Sequence, residues 1–133
     1  MDRLLGKYSP YLYAILRIIA GLMFAMHGSQ KLLGWPGGKP AIPVASLMGA
    51  AGVIELIGGL MIALGILTSY AAFIASGEMA FAYFMAHAPH GSLPILNQGE
   101  LAVLNCFVFL YFAAQGSGLW SIDAITGRKT IRR

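Results

Sequence analysis

The sequence predicts an all-α fold: one domain over residues 1–133, built as a bundle of four transmembrane helices. Composition is the first reason. Hydrophobic residues make up 58% and charged residues 11% of the 133 positions, against roughly 45–50% and about 25% in a soluble domain. A body this small cannot bury that much apolar surface in water, so the surplus must face lipid. The second reason is arithmetic. Four spans of ~20 residues need ~80 positions, and 58% of 133 is about 77. The third is that the apolar residues fall into four runs parted by glycine, proline and polar residues.

The first run covers about 11–33, with Arg17, His27 and Lys31 inside it. Ser9-Pro10 supplies a cap and a first-turn proline. Arg17 breaks the apolar stretch, and no small-x-small site precedes the following loop, so the run reads as a span and not as a cleaved signal. The segment Gly34-Trp35-Pro36-Gly37-Gly38-Lys39-Pro40 then ends the helix, because prolines and glycines at that density cannot continue one. The second run, about 44–67, carries Glu55 alone, and the third, about 70–87, carries Glu78 alone. A polar loop with His87, His90 and Asn97-Gln98-Gly99 leads to the fourth run, about 100–115. That run is short for ~30 Å of hydrocarbon, so it uses Gln115 or tilts. Asn97 and Glu100 have the spacing of a capping box. Trp35 and Trp120 lie just beyond span ends, where interfacial aromatics are expected.

Charge orients the bundle. With four spans both termini share one side, which gathers Arg3, Lys7, Arg128, Lys129, Arg132 and Arg133, while Lys31 and Lys39 lie opposite. Basic residues favour the cytoplasmic side, so both termini are expected in the cytoplasm and the polar loops outside. The net charge of +4 therefore speaks of topology and not of nucleic acid. The single cysteine, Cys106, excludes an intramolecular disulfide, C-x-x-C chemistry and a thiolate metal cluster. It is expected to be inert, as the methionines are expected to pack. His87 and His90 lack the further ligands a metal site needs.

Ionisable side chains at membrane depth cost on the order of 2.5–3.5 kcal/mol each, so they need partners or a cavity. At ~1.5 Å per residue, Arg17 lies ~10 Å in from Pro10, Glu78 ~13 Å from Ser69 and Glu55 ~18 Å from Leu67. A buried ion pair of Arg17 with Glu78 or Glu55 is the resulting expectation. Helical phase puts Arg17, Phe24, Gly28 and Lys31 on one face, with His27 close by. Glu55 shares its face with Gly52 and Gly59, and Glu78 with Ala75 and Ala82, which lets helices approach closely. His27, Lys31 and Glu100 form a second polar group nearer the outer surface. Two acids facing one arginine leave a proton to be shared, which suits proton-coupled chemistry, although a pair that only fixes helix register has the same appearance.

Several segments together resemble one family. Arg17-Ile-Ile-Ala-Gly21 followed by His27-Gly28-x-x-Lys31-Leu-x-Gly34 resembles the first helix of the DoxX family, and Gly52-x-x-Glu55-x-x-Gly58-Gly59 its second. Asn97-x-Gly99-Glu100 and Gly116-x-Gly118-x-Trp120-Ser121-x-Asp123 resemble its fourth-helix entry and its tail. Gln98 stands where a second glycine is common. The resemblance implies a four-helix protein of the bacterial inner membrane, related to the membrane subunit of thiosulfate:quinone oxidoreductase, with a fold similar to vitamin K epoxide reductase. The chemistry of that last relative does not carry over to a chain with one cysteine.

Three functions follow as expectations. The first is a redox-linked subunit that binds a quinone through His27, Lys31, Glu55 and Glu100. No haem ligand pair, flavin motif or iron–sulfur cysteines occur, and no metal site is expected. Electrons would therefore come from a partner, a soluble oxidoreductase. The second is a non-enzymatic anchor or assembly subunit. The third is a proton-linked transporter, for which four helices would have to form a homo-oligomer to enclose a path. Membrane lipid is the expected surrounding in every case.

Overall fold

The structure, a computed structural model, describes residues 2–128. Every regular element among them is helical. A short helix, α1 (Asp2–Leu5), passes through a 3-10 turn at Gly6–Tyr8 into α2 (Ser9–Leu33), with Pro10 in the first turn. α2 stops at Gly34, whose φ of 69° suits a residue without a Cβ, and the Gly34 amide donates to Gln30 O at 3.1 Å. α3 runs from Leu47 to Leu64. It starts at 47 and not at 44 because Pro43 and a turn precede it, and Ser46 Oγ caps it by accepting from the Gly49 amide at 3.0 Å. Gly65, at φ 72°, ends it. α4 (Thr68–Ala82) continues through a π turn at Tyr83–His87 and a 3-10 turn at Ala88–His90. α5 is Glu100–Gln115 and α6 is Ile122–Ile125.

The four long helices form two intimate pairs, α2 with α3 and α4 with α5. The first pair meets backbone to backbone. A Cβ at Gly21 would stand 2.6 Å from Ala63 N and 2.7 Å from Gly59 O, and one at Gly28 would strike Leu56 N and Gly52 O. These contacts set an antiparallel register in which Gly21 faces Gly59 and Gly28 faces Gly52. Phe24 and Ile62 from this pair meet Met79, Phe109 and Phe112 from the other in a common core. The Phe24 and Phe109 ring centroids are 4.6 Å apart, a spacing at which aromatic pairs add to simple burial. Ser76 Oγ, on α4, donates to Cys106 O on α5 at 2.8 Å, which leaves Cys106 half-buried at that seam.

The outside of the bundle is apolar. Leu12, Ile19 and Met26 on α2, Phe73 and Phe81 on α4, and Leu104 and Phe107 on α5 are all exposed. A contiguous coat of this kind is a surface made for another apolar phase. Gly6–Leu33 and Leu47–Leu64, of 28 and 18 residues, are long and apolar enough to cross a membrane, and Glu100–Gln115 is apolar but shorter. The two ends of the bundle differ. Tyr13 Oη donates to Gly116 O at 2.6 Å, so the start of α2 and the end of α5 lie together. Lys7 and Arg128 are exposed at that end, whereas Lys129, Arg132, Arg133 and the Arg3 side chain lie outside the described residues.

Candidate functional site

Arg17 is fully buried, but it is not the partner of either intrahelical glutamate. Its Nη1 donates to Ile62 O at 2.6 Å and Ala63 O at 2.8 Å, and its Nη2 to Leu119 O at 3.1 Å and Trp120 O at 2.8 Å. The expected Arg17–Glu78 or Arg17–Glu55 ion pair is thus absent among the described residues. The reason is register. With Gly21 against Gly59 and Ala63, Arg17 stands level with the C-terminal end of α3. Glu55 is eight residues back along that helix from Ala63, about 12 Å away at the helical rise. A membrane face at Pro10 would set Arg17 deeper along α3, but α2 extends past the end of α3. A guanidinium at that level meets the last carbonyls of a helix, which have no intrahelical donors and carry the negative end of its dipole.

The same corner fixes the chain's tail. Asp123 is buried, and its Oδ2 accepts from the Leu67 amide at 2.8 Å and from Ser117 Oγ at 2.6 Å. Its own amide donates to Gly65 O at 3.1 Å. Arg17 and Asp123 together lash residues 116–123 to the α3–α4 turn. The glycine-, serine- and aspartate-bearing tail segment is therefore architectural.

The second polar group sits elsewhere. Lys31 Nζ meets Glu55 Oε1 at 2.6 Å, with the Glu55 side chain 4% and the Lys31 side chain 22% exposed. Glu55 lies in a π turn, Ile54–Gly58, inside α3, a local widening found often at functional positions. Glu78 on α4 is within electrostatic reach of both Glu55 and Lys31. Glu55 Oε2 and Glu78 Oε2 are each buried without a hydrogen-bond partner among the described residues. All three groups, with His27, line a cavity of about 610 Å³ bounded by α2, α3, α4 and α5. Its remaining wall is mostly apolar, including Phe24, Met48, Ile74 and Met85, with Gln98 and Asn105 as further polar groups.

Of the sequence-predicted residues, His27, Lys31 and Glu55 thus come together, and Glu78 joins them instead of Arg17. Glu100 is exposed and lies off the cavity lining. The expected Asn97–Glu100 capping box does not form either. Gly99 is the N-cap of α5 without a side-chain cap, because Asn97 turns inward. Its Nδ2 donates to Gly91 O at 2.7 Å and Tyr83 Oη at 3.3 Å, and its Oδ1 accepts from the Gly99 amide at 2.9 Å. Gln98 takes up φ 59°, the left-handed region that a glycine enters freely. A signal for the Lys31–Glu55 contact was present in the sequence. Gly21 and Gly28 on α2 and Gly52 and Gly59 on α3 are both seven apart, and matching them antiparallel sets Lys31 level with Gly49, about 9 Å along α3 from Glu55, a gap that the two side chains span.

An all-helical body with an apolar exterior and a charged cluster on the wall of an apolar cavity has the make-up of a small helical membrane protein. The chain belongs to the DoxX family, whose model, described as DoxX, matches residues 12–88. It is 47% identical over 126 residues to an uncharacterized protein of Haemophilus influenzae, covering 90% of this chain and 93% of that relative. No solved structure matches it.

Proposed function

We propose that the chain is a four-span protein of the bacterial inner membrane whose cavity takes a quinone-like lipid and which works with a partner oxidoreductase. The observation that carries this reading is the cavity of about 610 Å³ with Lys31, Glu55, Glu78 and His27 on an otherwise apolar wall. That volume is in the range of small-molecule sites, ~300–1,000 Å³. An apolar slot accommodates a prenyl tail, and groups able to give or take protons suit a redox-active head. Lys31 and Glu55 orient one another, and Glu78 and His27 stand ready as acceptor and donor. Glu100, off the lining, has no part in the site. Electron supply is assigned to a soluble partner, since the sequence carries no motif for a tightly held redox group.

The Tyr13–Gly116 contact gathers both chain ends at one side. The basic residues of the termini favour the cytoplasm for that side. The cavity then lies toward the outer face, beside Lys31 and the loop carrying His87.

The test is chemical. The protein is purified in mild detergent and extracted into organic solvent, and the extract is analysed by mass spectrometry. A quinone at near-stoichiometric amount in wild type, and its loss in His27→Phe with thermal stability kept, is the expected result. Equal amounts in both, or none in wild type, would remove the reading.

A further inference from the structure

Taking the cavity as a lipid-headgroup site, we propose that it selects the reduced, dihydroxy form of a quinone over the oxidised dione. The selection rests on which polar atoms lack partners. In the cavity wall the buried side-chain atoms without a partner among the described residues are Glu55 Oε2 and Glu78 Oε2. An ionised carboxylate oxygen only accepts hydrogen bonds. Glu55 is 3% exposed, and its other oxygen already holds Lys31 at 2.6 Å. The unmet demand of the site is therefore for donors, and a buried acceptor left without one is costly.

The two forms of a quinone differ in this respect. A dione presents two acceptor oxygens, which meet a carboxylate oxygen lone pair to lone pair. The quinol presents two O–H donors of the same size and place. The glutamates come from different helices, α3 and α4, so they address a head lying between the two. Lys31, His27, Gln98 and Asn105 are the lining groups able to donate, but none of them is among the buried atoms left without a partner. Sites built around buried hydrogen-bonding groups discriminate strongly against an analogue that leaves those groups unpaired. The selection is one of binding alone and involves no electron transfer.

The test uses the full chain in mild detergent, stripped of bound lipid, under anaerobic conditions. Equilibrium dialysis compares decylubiquinol with decylubiquinone. The quinol is expected to bind at least about tenfold more tightly, a difference that corresponds to one good hydrogen bond gained. Glu78→Gln replaces an acceptor oxygen with an amide that also donates, so the ratio should fall toward parity while circular dichroism is unchanged. Equal binding of the two forms by wild type, or tighter binding of the quinone, overturns the selectivity and leaves the cavity as a quinone site. Binding of dodecylammonium without binding of decylubiquinol also overturns it, since the donor would then be a cation. Failure of both quinone forms to bind is distinct, because it removes the quinone reading itself.

Discussion

Replacing Arg17 with methionine tests the assignment of its guanidinium to helix-end carbonyls. The substitution keeps an unbranched apolar stem and removes every donor. Two of the four lost bonds, to Ile62 O and Ala63 O, are buried, and the other two, to Leu119 O and Trp120 O, are partly so. A hydrogen bond with a charged partner contributes ~1.5–3 kcal/mol, so the buried two alone amount to ~3–6 kcal/mol. That is a large share of the ~5–15 kcal/mol that holds a typical domain. Denaturant titration in detergent, followed by helical circular dichroism, should show that loss. Limited proteolysis should find residues 116–123 released first, since Arg17 binds them to the α3 end. Arg17→Lys should recover only part, because one ammonium cannot span both carbonyl pairs. Adding Glu78→Gln to Arg17→Met should recover nothing. Recovery by that second change would mean that a glutamate is the partner, and a loss below ~1 kcal/mol would mean that the four bonds are not made.

Three further outcomes follow from local geometry. Gln98→Gly should stabilise the fold by up to ~1 kcal/mol in the same titration, because a side chain at φ 59° is strained there; a loss of stability would refute the backbone assignment. Gly28→Ala should cost ~1–3 kcal/mol, since its Cβ meets the α3 backbone at Leu56 and Gly52 and an overpacked contact forces the helices apart. An unchanged midpoint would contradict the Gly28–Gly52 register. A reporter fused after Arg133 should be active only in its cytoplasmic form, and activity of a periplasm-dependent reporter would reverse the orientation.

The fold class was legible because it rests on bulk quantities. Apolar runs parted by Gly34-Trp35-Pro36-Gly37-Gly38 and by the segment around Asn97-Gln98-Gly99 allow little other than helices in series. The helix ends were less legible. Ser46 and Gly65 fix α3 at Leu47–Leu64, yet the apolar run extends to both sides of those residues. The partners of Arg17 escaped for a physical reason. Carbonyl oxygens belong to every residue and leave no mark in a sequence, so an arginine that caps a helix looks like one awaiting an acid. Lys31 and Glu55 were each identified, but their contact depends on the glycine register, which intramembrane depth estimated from run ends does not resolve. The π turn at Ile54–Gly58 has no sequence signature of its own. The start of the fourth run puts Glu100 at the same membrane surface as His27, but its side chain is exposed and off the cavity lining.

The central claim is that the cavity beside Lys31, Glu55 and Glu78 is where a quinone-like lipid binds, and filling that cavity tests it most directly. Gly77 is on the cavity lining, and a Cβ built there meets nothing within 4 Å. Gly77→Phe should therefore enter open space without a clash, and it replaces a poor helix former within α4. The measurement is the molar ratio of retained quinone to protein, by mass spectrometry after mild detergent extraction, in wild type and Gly77→Phe side by side. Quinone near stoichiometry in wild type and its loss in Gly77→Phe, with a thermal midpoint equal or higher, is the expected result. The same retained amount in both proteins would place the ligand outside this cavity and contradict the claim.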